Sequence, residues 1–245
     1  MTEVESFKDA NDALRAMTLK LKRLMDSREK GDFNIALSGG GTAREMFALW
    51  AGEFASALPW RAARFFWVDE RCVPPSSDES NFRFANELFF GPAGISPSRI
   101  FRIRGEDDPH AEAERYSAET AALAGKPGAR LPDFDCTILG MGSDGHTASI
   151  FPDDLTPLVY RSAYAAVKNP CDGRMRVTMT GPAILNSHEI FVPVVGAGKA
   201  EILGKALGEV KSGRITLPSS YILRNAAHAE IFTDAQCPAQ SAEGR

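Results

Sequence analysis

Two side chains suited to moving protons stand two positions apart in residues 135–152, DCTILGMGSDGHTASIFP. Asp144 and His146 lie in a glycine-rich run, Gly140 to Thr147, that directly follows the apolar stretch Cys136 to Leu139. The stretch reads as a buried strand, and the glycines after it allow a tight, exposed turn. Imidazole exchanges protons near neutral pH, so His146 is the first candidate for a general base. A nearby carboxylate either orients the ring or favours its protonated form, and spacing leaves both roles open for Asp144. His110, His188 and His228 have no comparable setting and read as surface or packing residues.

Three other groups of residues could hold an anion. Ser38-Gly39-Gly40-Gly41-Thr42 sits between a strand run at 33–37 and a helix-forming stretch. Glycines there let backbone N–H groups turn inward at a helix N-terminus, with two hydroxyls added, which is a nest for phosphate. It is neither a P-loop nor a dinucleotide fingerprint, since no Lys follows and GxGxxG is absent. A plain strand-to-helix turn has the same composition. Asp69-Glu70-Arg71 follows the apolar strand RFFWV. Alone, these charges read as a solvated ion pair. They join the site if their strand runs parallel to the one ending at Ser38. Lys199 closes the run VVGAGK at a helix start, where a cation opposes the helix dipole and suggests an anionic ligand. Arg176, in RMRVTMT, is a second cation; Arg grips phosphate with two parallel hydrogen bonds and Lys acts as a point charge.

The elements that must position these residues follow from hydrophobic spacing. Leu14, Met17, Leu21 and Leu24 mark a helix over residues 10–29. Further helices are expected over 43–52, 81–90 (capped by Ser80), 109–123 and 199–207. Strands are expected at 33–37, 64–68, 100–103, 136–139, 160–167, 174–179, 188–195 and 229–233, with a tail that frays from Asp234. Strands alternating with helices predict an α/β fold, with a mostly parallel sheet flanked by helices on both faces. No repeat, low-complexity segment or long linker interrupts residues 1–245, so one domain is expected.

Composition narrows the function. The 245 residues are 44% hydrophobic and 24% charged, enough for a proper core. A net charge of −4 argues against a nucleic-acid partner, although it allows a local cationic pocket. The first ten residues do not resemble a signal peptide, and no stretch approaches the roughly 20 apolar residues of a membrane helix. Cys72, Cys136, Cys171 and Cys237 form no CxxC pair, so neither a disulfide framework nor a metal site is expected, and a cytoplasmic setting is.

The segments LSGGGTAREMF, FFWVDERCVPPSSDESNF, DFDCTILGMGSDGHTASIFP, RVTMTGPAILNS and VVGAGKAEIL resemble the 6-phosphogluconolactonases, in that family's order, across residues 33 to 205. The resemblance implies a cofactor-independent hydrolase of a sugar-phosphate lactone, in the oxidative pentose phosphate pathway. It also implies the α/β fold shared with glucosamine-6-phosphate isomerase/deaminase. Carried over by position, Ser38, Gly39, Gly40, Gly41, Thr42, Arg176 and Lys199 hold the sugar phosphate. Asp69, Glu70 and Arg71 line the sugar and lactone end, and His146 is the general base. A monomer with no partner beyond its small-molecule substrate is expected. The chain departs from the family at Gly41 and Ala43, where Ser and Pro are frequent, and at Ser143, where Pro is.

Two other readings are weighed against this one. Amino-sugar phosphate isomerase/deaminases usually continue DGH as HIAFNEP, with a Glu five positions after the His, where this chain has Phe151. They also tend to carry Asp-Glu-Tyr where Asp69-Glu70-Arg71 stands here. A non-catalytic sugar-phosphate sensor needs a DNA-binding module ahead of the first strand, and only about 30 residues precede it.

Overall fold

All five residues of β2 (Phe33–Leu37) are buried. Successive strand side chains point to opposite faces, so both faces of the sheet are covered at this strand. The computed structural model describes residues 2–29 and 31–235. Around β2 stand β1 (Thr2–Ser6), β3 (Ala63–Trp67), β5 (Cys136–Ile138), β8 (Glu189–Val194) and β9 (Ala229–Thr233). They form one six-stranded sheet in the order β1-β9-β8-β5-β2-β3, with every pairing parallel.

That order fixes where a ligand can sit. The chain runs outward from β2 to β3, then returns to the other side of β2 for β5, β8 and β9. The crevice at the carboxyl ends of β2 and β5 is therefore the topological switch point, where open α/β sheets bind ligands. The glycine loop follows β2, Asp69-Glu70-Arg71 follows β3, the His146 turn follows β5, and Lys199 follows β8. These four strands are neighbours, so all four segments leave the same edge side by side.

Seven α-helices are present among the described residues: α1 (Ala10–Asp26), α2 (Gly41–Gly52), α3 (Asn81–Ala85), α4 (Pro109–Ala124), α5 (Gly181–Leu185), α6 (Ala200–Ser212) and α7 (Pro218–Asn225). None is long and apolar enough to cross a membrane. Asp9 caps α1 by accepting from the Asp12 N–H, and Ala13, Leu14, Met17, Leu21 and Met25 form its buried stripe. Helix α2 buries Ala43, Met46, Phe47 and Trp50. Trp50 lies 5.0 Å from Trp60 and 5.2 Å from Phe89, ring centre to ring centre, so an aromatic cluster anchors the helix that begins at the glycine loop.

Several elements differ from the sequence expectation. Asp69–Arg71 is itself a strand, β4, in a second sheet that is antiparallel. It pairs with β7 (Met175–Met179), which pairs with β6 (Tyr164–Lys168). Residues 100–103 form no strand; only Ile100 bridges to Phe65. The helix over 81–90 is α-helical to Ala85 and then widens into a π turn, Asn86–Phe90. Edge strand β1, TEVES, has one apolar residue and no pattern to announce it. The Asp234 carboxylate accepts from the Gly196 N–H at 2.9 Å and so is held in place. The tail beyond Ala235, with Cys237, lies outside the described residues.

Candidate active site

The four segments enclose a cavity of about 400 Å³ lined by Ser38 to Thr42, Asp69, Arg71, Gly140 to Ser143, His146, Arg176 and Lys199. Asn81, Ser149 and Asn169 line it as well. Ser38 Oγ accepts from the Gly140 N–H at 3.2 Å, tying the glycine loop to the His146 turn across the switch point. Gly40 has φ +95°, a conformation open to glycine at little cost, and α2 begins at the next residue with no side-chain cap. Its first N–H groups are thus left for an anion, with the positive end of the helix dipole behind them. A Cβ on Gly39 would fall 1.9 Å from Asn81 Oδ1, so this loop is pressed against Asn81 and Gly39 admits no side chain there.

On the central turn, Asp144 Oδ1 lies 2.6 Å from His146 Nδ1 and also accepts the His146 backbone N–H at 3.0 Å. Burial works against the Asp144 charge. The His146 N–H and the imidazole outweigh it and hold the carboxyl below its ordinary range. An ionised carboxylate only accepts, so Nδ1 carries the hydrogen of this bond. The contact serves both roles that spacing leaves open, orienting the ring and favouring its protonated form. Phe151 packs beside that ring at 5.0 Å between centres. Thr147 Oγ1 donates to the Gly140 carbonyl at 2.9 Å and closes the turn.

Strand β4 divides its three charges. The Asp69 carboxylate faces the cavity and accepts from Ser149 Oγ at 2.7 Å, while its backbone carbonyl accepts from Asn81 Nδ2 at 2.9 Å. Glu70 points the other way, since strand side chains alternate. Its carboxylate accepts from the N–H groups of Arg71, Asn81 and Phe82, each at 2.8 Å, and from Ser80 Oγ at 3.0 Å. Burial pushes this carboxyl above its usual range, with the three N–H donors working against it. Glu70 therefore does not line the sugar end as the resemblance implies; it pins the start of α3 beneath the site.

Arg71 and Arg176 stand directly opposite each other in the β4–β7 pair, so both side chains emerge on one face. The resemblance implies opposite ends of a ligand for them, whereas the register makes them neighbours. Arg71 Nη1 donates to the Glu79 carbonyl, and Arg176 Nη2 pairs with Asp172 at 3.0 Å. The Nε of each is buried without a partner among the described residues. Lys199 precedes α6 and donates to the Met141 carbonyl at 2.6 Å. Burial lowers its pKa, and the Asp144 charge works in the opposite direction.

Sequence reasoning did not single out Asn81, Ser149 or Asn169 as site residues. Asn81 and Ser149 fall inside resembling segments. Asn169-Pro170 carries a turn signal that says nothing about what its amide faces. Among the described residues, no three His, Cys, Asp or Glu side chains are grouped to hold a metal ion.

Comparison with known proteins agrees with this architecture. Residues 8–232 match the family model described as glucosamine-6-phosphate isomerases/6-phosphogluconolactonase. The chain is 42% identical to 6-phosphogluconolactonase of Treponema pallidum over 83% of either chain. It is 36% identical to that of Aggregatibacter actinomycetemcomitans, over 82% of this chain and 84% of the relative. The crystal structure of 6-phosphogluconolactonase from Thermotoga maritima superposes with a TM-score of 0.80 at 27% identity, covering 95% of this chain and 99% of the other. The chain belongs to the glucosamine-6-phosphate isomerase/6-phosphogluconolactonase family.

Proposed function

We propose that this protein hydrolyses 6-phospho-D-glucono-1,5-lactone to 6-phospho-D-gluconate, with His146 as general base. One observation carries the reading: an imidazole held by Asp144 faces the same cavity as an uncapped helix N-terminus, whose free N–H groups suit a phosphate. Nε2 takes a proton from water while the water oxygen bonds to the lactone carbonyl carbon, and the carbonyl electrons move onto oxygen. When the carbonyl re-forms, the bond from that carbon to the ring oxygen breaks. The protonated imidazole returns its proton to the departing oxygen. Arg71 or Lys199 balances the negative charge of the tetrahedral intermediate. The carbonyl is already electrophilic, so a positioned water and base suffice.

In this reading Ser38 to Thr42, Arg176 and Lys199 hold the phosphate, and Asp69 faces the sugar. Binding energy from the phosphate fixes the reacting carbon against His146. Phe151, packed on the imidazole where the deaminases usually carry Glu, supports the lactonase over the deaminase. The test follows lactone decay against its spontaneous rate. Acceleration by purified protein is expected; no acceleration, with glucosamine 6-phosphate deaminated instead, overturns the assignment.

A further inference from the structure

The turn between β6 and β7 carries a donor that no interaction within the described residues uses. Asn169 is 8% exposed and lines the cavity. Its backbone is fully engaged: the N–H donates to the Arg174 carbonyl, and the carbonyl accepts from the Gly173 N–H, both at 2.9 Å. Its side-chain Oδ1 accepts from the Cys171 N–H at 2.9 Å. A backbone N–H can only donate, so this bond settles which end of the amide is oxygen. The NH₂ group is left over. Nδ2 has no partner among the described residues, and it is not among the side-chain atoms sealed from solvent.

The same turn places this donor beside Arg176. Val167, two residues before Asn169, pairs with Arg176 across the β6–β7 ladder, and Asp172 on the turn holds one arm of the Arg176 guanidinium. A neutral donor next to a guanidinium, both facing a cavity, calls for an acceptor that takes several hydrogen bonds at once. A phosphate, with three terminal oxygens, accepts from the glycine loop, the guanidinium and an amide together.

We infer that Asn169 Nδ2 donates a hydrogen bond to the substrate's phosphate beside Arg176, which makes the β6–β7 turn a determinant of selectivity for phosphorylated over unphosphorylated lactone. This rests on the lactonase reading above. It adds a contact from a segment that lies outside the motifs of the resemblance.

Two substitutions isolate the donor. Asn169→Asp keeps an acceptor for the Cys171 N–H and replaces the NH₂ by a negative oxygen facing the phosphate. Asn169→Ser keeps a smaller acceptor and removes the donor without adding charge. Purified wild type and both variants are compared by melting temperature and by kcat/KM for 6-phospho-D-glucono-1,5-lactone and for D-glucono-1,5-lactone. Affinity for 6-phosphogluconate and for inorganic phosphate is measured by calorimetry. The ratio of kcat/KM for phosphorylated over unphosphorylated lactone is expected to fall by about 10-fold or more in N169D and by about 3- to 10-fold in N169S, through KM. Phosphate affinity should weaken in the same order. A ratio unchanged in a folded variant, or both lactones impaired equally, overturns the inference. Should N169D fail to fold, N169S decides it. Wild type that binds phosphate through Asn169 yet hydrolyses no lactone leaves this contact standing and removes the lactonase reading.

Discussion

A Cβ placed on Gly142 would lie 2.1 Å from Nδ1 and 2.2 Å from Cε1 of His146. The imidazole therefore rests on bare backbone of the turn that carries it. The turn is drawn shut there, because the Gly142 N–H donates to the His146 carbonyl at 2.8 Å. Glycine at 142 is part of how the ring and the Asp144 carboxylate meet.

Gly142→Ala should consequently displace the imidazole without removing it. A shift of about 1 Å in a reacting group costs on the order of 10²-fold in rate, and that loss is expected in kcat, with KM for the phosphorylated lactone little changed. Steady-state kinetics on the folded variant checks this. Wild-type kcat would show that the ring does not depend on its contact with the turn.

Glu70→Gln should act on stability. The carboxylate meets four donors, and an amide presents an NH₂ to at least one of them. A buried mismatch of this kind costs about 1–3 kcal/mol. Urea unfolding should record that loss while KM of the folded variant stays near wild type. The opposite pattern, full stability with KM raised, would return Glu70 to the ligand.

Acid should loosen the support beneath the His146 turn. Glu209, on α6, accepts from the N–H groups of Thr216 and Leu217 at 2.9 and 3.0 Å and from the Thr216 hydroxyl. Leu217 in turn packs against Gly145, and the Ser219 N–H donates to the Gly145 carbonyl. Burial opposes the Glu209 charge, but these donors outweigh it and hold the carboxyl at about 2, against an ordinary 4.5. A carboxyl depressed in the folded state stabilises it above the unfolded value, and that contribution is lost as pH falls from about 4.5 toward about 2. The stability advantage of wild type over Glu209→Gln, measured by urea midpoints, should shrink across this interval. Midpoints that fall in parallel would contradict the assignment.

What the sequence made legible were the places where strand, glycine and charge adjoin. Each of the four predicted segments leaves the carboxyl end of a parallel strand, and the adjacency of β8, β5, β2 and β3 brings them together. Less legible was anything set by pairing at a distance. The role of Asp69–Arg71 as a strand depends on β7, more than 100 residues later, and three charged residues carry no strand pattern of their own. The orientation of Glu70 away from the cavity follows from that same pairing. Asn81 and Asn169 are short polar side chains whose partners are single backbone groups, so no periodicity marks them.

In the proposed reaction His146 takes the proton from water. The most direct test of that step is the rate of 6-phospho-D-glucono-1,5-lactone hydrolysis by His146→Ala, at a pH where spontaneous hydrolysis is slow, with 6-phosphogluconate affinity measured alongside. A loss on the order of 10²–10⁴-fold in kcat is expected, with product still bound. Near-wild-type turnover in that variant would contradict it and move the base to Asp69.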